Sequence, residues 1–204
     1  MNRLIIIGAS GHGKVVADIA KKNGYRDIVF LDSNPSVTVC AGYPVVGPDT
    51  MLADMEGDVC IAIGNTKARK RLMLQNAGRR FPCLIHPAAT IADGVFVGEG
   101  TVIMAGAVVN PCARIGRGCI LNTASSVDHD CSVSDFVHIA VGAHVCGTVA
   151  IGEETWVGAG ATISNNVVVC GDCMIGAGAV VIKDIKTQGT YIGVPARIQK
   201  DSGL

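Results

Sequence analysis

Residues 91–181 divide into hexapeptides: IADGVF (91–96), VGEGTV, IMAGAV, VNPCAR, IGRGCI, LNTASS, VDHDCS, VSDFVH, IAVGAH, VCGTVA, IGEETW, VGAGAT, ISNNVV, VCGDCM and IGAGAV (175–180), closed by Val181. Each opens on an aliphatic residue, from Ile91 and Val97 through to Ile175 and Val181, without one failure. Four places after each anchor stands a small or β-branched residue, as at Ala107, Ala113, Cys119, Ala143 and Ala161. A period of six matches neither the 3.6 of an α-helix nor the two-residue alternation of a half-buried strand. It matches a parallel β-helix in which each hexapeptide makes one flat side and one corner. The aliphatic side chain points inward, and the small residue is expected to let the chain turn. Three sides give a coil of about 18 residues, stacked on the next at about 4.8 Å, so residues 91–186 predict roughly five coils. No insertion interrupts the rhythm, so a single prism offers no deep cleft. A site must then form where two prisms meet, and a triangular cross-section suits three-fold association.

Composition agrees with this reading. The chain has 204 residues, 26 of them glycine, and only 4% are aromatic, which is what tight turns around small aliphatic side chains require. The formal net charge is zero and no block of more than three consecutive basic residues appears, so nucleic acid and anionic membrane surfaces are poor partners. No apolar stretch reaches the roughly 18 residues of a membrane span, and the opening residues lead one to expect no cleavable leader. Nine cysteines without a secreted-domain framework fit reduced thiols and a cytoplasmic location. The one CxxC, Cys170 to Cys173, has no second pair, so no metal site is expected.

Ahead of the repeats, residues 1–86 read as a separate Rossmann-like half domain, leaving 87–204 to the prism and a C-terminal tail. Arg3 to Gly8 is an apolar strand, and Gly8-Ala-Ser-Gly-His-Gly13 follows as a glycine-rich turn. Lys14 to Asn23 carries Val15, Val16, Ile19 and Ala20 at helical spacing. Strand, glycine turn and helix together aim main-chain N–H groups at phosphate. A second strand, Asp27 to Asp32, ends in a carboxylate able to accept from a ribose or base. A third, Val59 to Ile63, leads through Gly64-Asn65 to a helix whose Lys67, Arg69, Lys70 and Arg71 read as outer positions. Such a module is half of a dinucleotide fold, so a nucleoside diphosphate carrying another group fits better than NAD.

The chain resembles the bacterial sugar acetyltransferases of the hexapeptide-repeat class, those of UDP-4-amino-sugars and of sialic acid. The resemblance runs through Gly8–Gly13, Phe30-Leu-Asp32, Ile61–Asn65, Leu84-Ile-His-Pro87, Leu121-Asn-Thr123, Asp128-His-Asp130, Val137–Gly142 and Gly193-Val-Pro-Ala196. It implies a left-handed β-helix, a homotrimer, and acetyl-CoA as co-substrate between neighbouring prisms. By the same resemblance His129 is the general base. Ser10, Gly11, His12, Asp32, Ser33 and Gly64 contact the nucleotide sugar, and His138, Ala159 and Ala177 contact the CoA.

The chemistry is consistent with that assignment. Attack on a thioester needs a neutral amine, and imidazole titrates in the range that can take its proton. A carboxylate on one ring nitrogen would fix the tautomer. Asp130 is the favoured partner, with Asp128 and Asn122 as alternatives, because neighbours on an extended strand point apart unless the chain turns. A main-chain N–H near Gly147 is the expected oxyanion donor. The leading expectation is N-acetylation of a nucleotide-linked amino sugar, such as UDP-4-amino-4,6-dideoxy-GlcNAc. O-acetylation of a sialic-acid-like sugar and a non-catalytic nucleotide-sugar-binding trimer are the alternatives. A zinc site is disfavoured, since no two of His129, His138 and His144 lie 18 apart and none can stack on adjacent coils.

Overall fold

The computed structural model describes residues 3–199. Strand β1 (Arg3–Ile7) is an interior strand of the first sheet, paired in parallel with β2 (Asp27–Leu31) on one side and β5 (Asp58–Ile61) on the other. Leu4 to Ile7 are all buried, as expected of a parallel strand covered on both faces. Two further strands, β3 (Val39–Cys40) and β4 (Tyr43–Gly47), extend the sheet in the order β3-β4-β2-β1-β5. The residue pattern between Asp32 and Val59 does not predict this hairpin. Helix α1 (Gly11–Lys22) starts three residues earlier than its apolar spacing suggested, inside the glycine motif itself. Gly13 shows why: a Cβ there would stand 2.2 Å from the Gly8 carbonyl oxygen. Helix α2 (Thr66–Gln75) follows β5 and is capped by the Asn65 side chain, which accepts from the Ala68 amide at 2.9 Å.

The prism begins at Leu84–Ile85, just before the expected boundary. Each hexapeptide contributes a two-residue strand, and residues 18 apart pair in parallel, Val109 with Val127 and Ile115 with Val133. Three faces result. The first holds Leu84–Ile85, Val102–Ile103, Ile120–Leu121, His138–Ile139, Trp156–Val157 and Cys173–Ile175, then continues into Gly189–Ile192 and the antiparallel Arg197–Ile198. The second runs from Thr90–Ile91 to Val180–Val181, and the third from Phe96–Val97 to Val168–Val169.

The corners differ from expectation. The small residues do not turn the chain; they point inward, with Ala107, Ala113 and Cys119 buried beside the aliphatic anchors. The residue before each one makes the turn in the left-handed region, whether glycine (Gly142) or not (Asp130, φ +58°).

The N-terminal module lies on the first face of the prism. Outward-pointing Leu84, Val102 and Ile120 join one apolar cluster with Leu4, Ile19 and Phe30. Phe136 joins another with Ile5, Val59 and Met73. Ion pairs of Lys70 with Glu153 and Glu154, and of Lys67 with Asp172, rim the junction.

Candidate active site

The edge between the second and third faces is a column of turns, in which residues 129–130 lie between 111–112 and 147–148. Asp130 donates its amide to the Pro111 carbonyl, and His129 accepts from the Thr148 amide, so each coil fixes the next. The left-handed backbone at Asp130 swings its carboxylate back beside the preceding imidazole, placing Oδ2 2.8 Å from His129 Nδ1. Asp128 is otherwise engaged: its Oδ1 accepts from the His129 main-chain amide at 2.8 Å and from Asn110 Nδ2 at 2.7 Å. The hydrogen bond to Asp130, and then the charge of Asp128, hold the His129 pKa above its usual value. The ring lies over Gly147, where a Cβ would come within 2.6 Å of Nε2. Glycine at 147 is what makes room for the imidazole.

A concavity of about 250 Å³ opens at the C-terminal ends of β1, β2 and β5, lined by Gly8, Ser10, Asp32, Ser33, Asp49 and Gly64 among others. Ser10 caps α1 without spending its hydroxyl on a helix amide, and no acidic residue occupies the first turn. The positive end of α1 is thus open to an anion. Asp32 knits the rim together, accepting from the Ala9 amide at 2.7 Å and the Asn34 amide at 2.9 Å. Gly11 is exposed on the first turn of α1. His12 is partly buried, with Nε2 shielded and without a partner; burial and then Arg69 lower its pKa to about 4.

His138 projects from the first face of the prism toward the Gly64 side of this cleft. It is 4% exposed, stacked on Trp156 with ring centroids 4.0 Å apart, and its Nε2 lies 3.3 Å from Asn122 Nδ2. Burial, followed by the charge of Arg69, lowers its pKa to about 3. Gly64 faces the same pair of rings, where a Cβ would stand 3.7 Å from Trp156 and 4.0 Å from His138. Ala159 and Ala177 are exposed one coil apart on the edge between the first and second faces, joined by the Gly178 amide donating to the Ala159 carbonyl. His144 is on the second face, its Nδ1 2.8 Å from Ser126 Oγ.

The residues singled out from sequence therefore fall in three places. His129, Asp130 and Gly147 share one edge. Ser10, Asp32, Ser33 and Gly64 line the cleft, with Gly11, His12 and His138 close to it. Ala159 and Ala177 occupy another edge. The His129 edge is opposite the face that carries the cleft, so one chain does not bring its own imidazole to its own cleft.

Two junction residues escaped the sequence reading, Trp156 and Arg69. Arg69 is 2% exposed, not an outer position. The signal was there: residues 69, 72 and 73 share a helical face, and Leu72 and Met73 are apolar. Neighbouring Lys67, Lys70 and Arg71 hid it.

Residues 3–75 match the PglD N-terminal domain family. Over the whole length the chain is similar to the acetyltransferase domain of PglB from Neisseria gonorrhoeae FA1090, with 40% identity, 98% of this chain and 100% of that one covered, and a TM-score of 0.94. PerB from Caulobacter crescentus, solved in complex with CoA and GDP-perosamine, is 32% identical over 98% of each chain with a TM-score of 0.92. The GDP-perosamine N-acetyltransferase of Escherichia coli O157:H7 is 29% identical over 78% of this chain and 76% of its own. An α/β module seated on a hexapeptide-repeat prism, matched end to end at this identity, places the chain in the PglD-type family of bacterial sugar N-acetyltransferases, whose prism is a left-handed parallel β-helix.

Proposed function

We propose that the protein is an acetyl-CoA-dependent N-acetyltransferase acting on an amino sugar carried by a nucleoside diphosphate. The observation that carries this reading is the pairing of His129 with Asp130 on an open edge of the prism, in a chain that also has an anion-ready cleft. Asp130 fixes the Nδ1 proton, leaving Nε2 to take a proton from the attacking amine. The amine nitrogen bonds to the thioester carbonyl carbon, and the tetrahedral intermediate collapses with loss of the CoA thiolate. The imidazolium then returns its proton to the sulfur, giving the amide and CoA. A main-chain N–H at Gly147 is proposed to face the oxyanion. His138, Ala159 and Ala177 are proposed to line the acetyl-CoA path. Ser10, Gly11, His12, Asp32, Ser33 and Gly64 are proposed to hold the nucleotide sugar.

The separation of His129 from its own cleft supports a site built from two chains, and a homotrimer supplies three such sites. Residues 1–86 act in this reading as the substrate module and 87–204 as the acetyl-transfer module. A cytoplasmic location belongs to the same proposal. Among the described residues no helix is long and apolar enough to cross a membrane, and all nine cysteines are free.

The nucleotide differs among relatives: the Escherichia coli enzyme is named for a GDP-linked amino sugar, and a Bacillus subtilis (strain 168) relative, 35% identical over 52% of each chain, is named UDP-N-acetylbacillosamine N-acetyltransferase. The experiment is to follow CoA release with UDP-4-amino-4,6-dideoxy-GlcNAc, GDP-perosamine and a hydroxy-sugar control. Release with an amino sugar is expected, and none above background with either would overturn the reading. His129→Ala should lose about 10²–10⁴ in kcat.

A further inference from the structure

The Arg69 guanidinium is buried and makes four hydrogen bonds, all to main-chain carbonyls. Nη1 donates to Ile63 and Gly64, each at 2.9 Å, on the rim of the nucleotide cleft. Nε donates to Gly118 at 2.6 Å and Nη2 to Phe136 at 2.8 Å, on two successive turns of the prism. One side chain thus spans the cleft rim and the prism. Among the described residues no carboxylate pairs with it, and burial lowers its pKa only to about 10, so it stays charged at neutral pH. A buried cation without a counter-ion is a poor way to gain stability, because its desolvation offsets most of what its bonds return. An apolar side chain would join the two domains at lower cost. The planar fork of a guanidinium instead fixes two backbones in one relative geometry, which a flexible apolar contact cannot do.

We propose that Arg69 is a positioning residue: it holds the Ile63–Gly64 rim of the nucleotide cleft at a fixed place on the prism, so that the bound sugar is presented to the acetyl-transfer edge in register. The inference rests on the nucleotide-sugar reading above. The surroundings support it, since a Cβ on Gly64 would stand 3.7 Å from Trp156 and 4.0 Å from His138, so drift of the rim toward the prism would disturb both rings. The ion pairs of Lys67 and Lys70 cross the same junction but are solvent-accessible, and such pairs contribute little.

The test compares wild type, Arg69→Lys and, as a junction control, Lys70→Ala. Steady-state rates are measured against both substrates, and UDP and GDP are titrated by fluorescence. Trp156 is the sequence's single tryptophan and lies at the junction, so its emission reports the rim directly. Arg69→Lys is expected to keep the wild-type circular dichroism and to raise KM for the nucleotide sugar about tenfold. KM for acetyl-CoA should move less than that for the nucleotide sugar, through His138 alone, and Lys70→Ala should leave both constants near wild type. A purely structural role would instead lower Tm and the active fraction without moving either KM, and that result overturns the proposal. Arg69→Gln, which retains an amide donor, is the second variant; if neither variant folds, the role is structural and the proposal fails. Wild type that binds neither nucleotide overturns the parent reading together with this one. Wild type that binds, alongside an unaltered Arg69→Lys, overturns this one alone.

Discussion

Whether His129 can act as a base turns on the conformation of its neighbour. Asp130 is an L-residue in the left-handed region, which costs energy, yet that same twist brings its carboxylate to Nδ1. Because the pair raises the imidazole pKa above its ordinary 6.5, the free base is lost as pH falls through that raised value. The acid limb of kcat/KM should therefore lie above 6.5. Asp130→Asn should move it downward and lower the plateau; a limb that stays in place in a pH-rate profile would remove Asp130 from the mechanism. Gly147 acts on the same ring by absence of a side chain. In Gly147→Ala the new methyl displaces the exposed imidazole rather than the backbone. We expect kcat to fall by about tenfold to a hundredfold with Tm unchanged, read from paired kinetic and thermal measurements.

The elements set where these groups can be. One hexapeptide gives one strand and one turn, so a residue's number modulo 18 assigns its face or edge, and His129 and Gly147 meet because they differ by 18. His138 and His144 differ by six and lie on different faces. The junction between the first face and the N-terminal module buries His138 in neutral form, with a folded pKa near 3 against 6.5 unfolded. A depressed histidine pKa means that the unfolded chain binds more protons, so stability falls as pH drops below about 6.5 toward the folded value. His138→Phe, which keeps a ring against Trp156 and cannot titrate, should flatten the decline of Tm between pH 7 and 5. An unchanged slope would show that His138 is not the group responsible.

For the whole molecule, the division of labour between opposite sides of the prism predicts complementation. A His129→Ala chain retains an intact cleft, and a Gly13→Val chain retains an intact His129. Valine at 13 would drive a side chain into the Gly8 carbonyl and spoil the glycine-rich turn. Each alone should be nearly inactive. Subunits unfolded together and refolded as a mixture should regain a measurable fraction of wild-type turnover, because mixed assemblies contain sites with one good half from each chain. No recovery in mixed assemblies would place the whole site within one chain.

The six-residue rhythm by itself determined the prism, its smooth sides and its coil length, because each turn of a β-helix repeats the same local packing problem. The glycine-rich turn between strand and helix, and Asp32 at the next strand's end, were legible for the same reason: their roles are set by neighbours in sequence. Only the tertiary structure decided which residue makes each corner. It also turned Arg69 inward, placed His138 under Gly64, and set His129 on the edge away from its own cleft. Those outcomes depend on how the N-terminal module seats on one face of the prism. That docking is a contact between surfaces far apart in the chain, and no local periodicity encodes it.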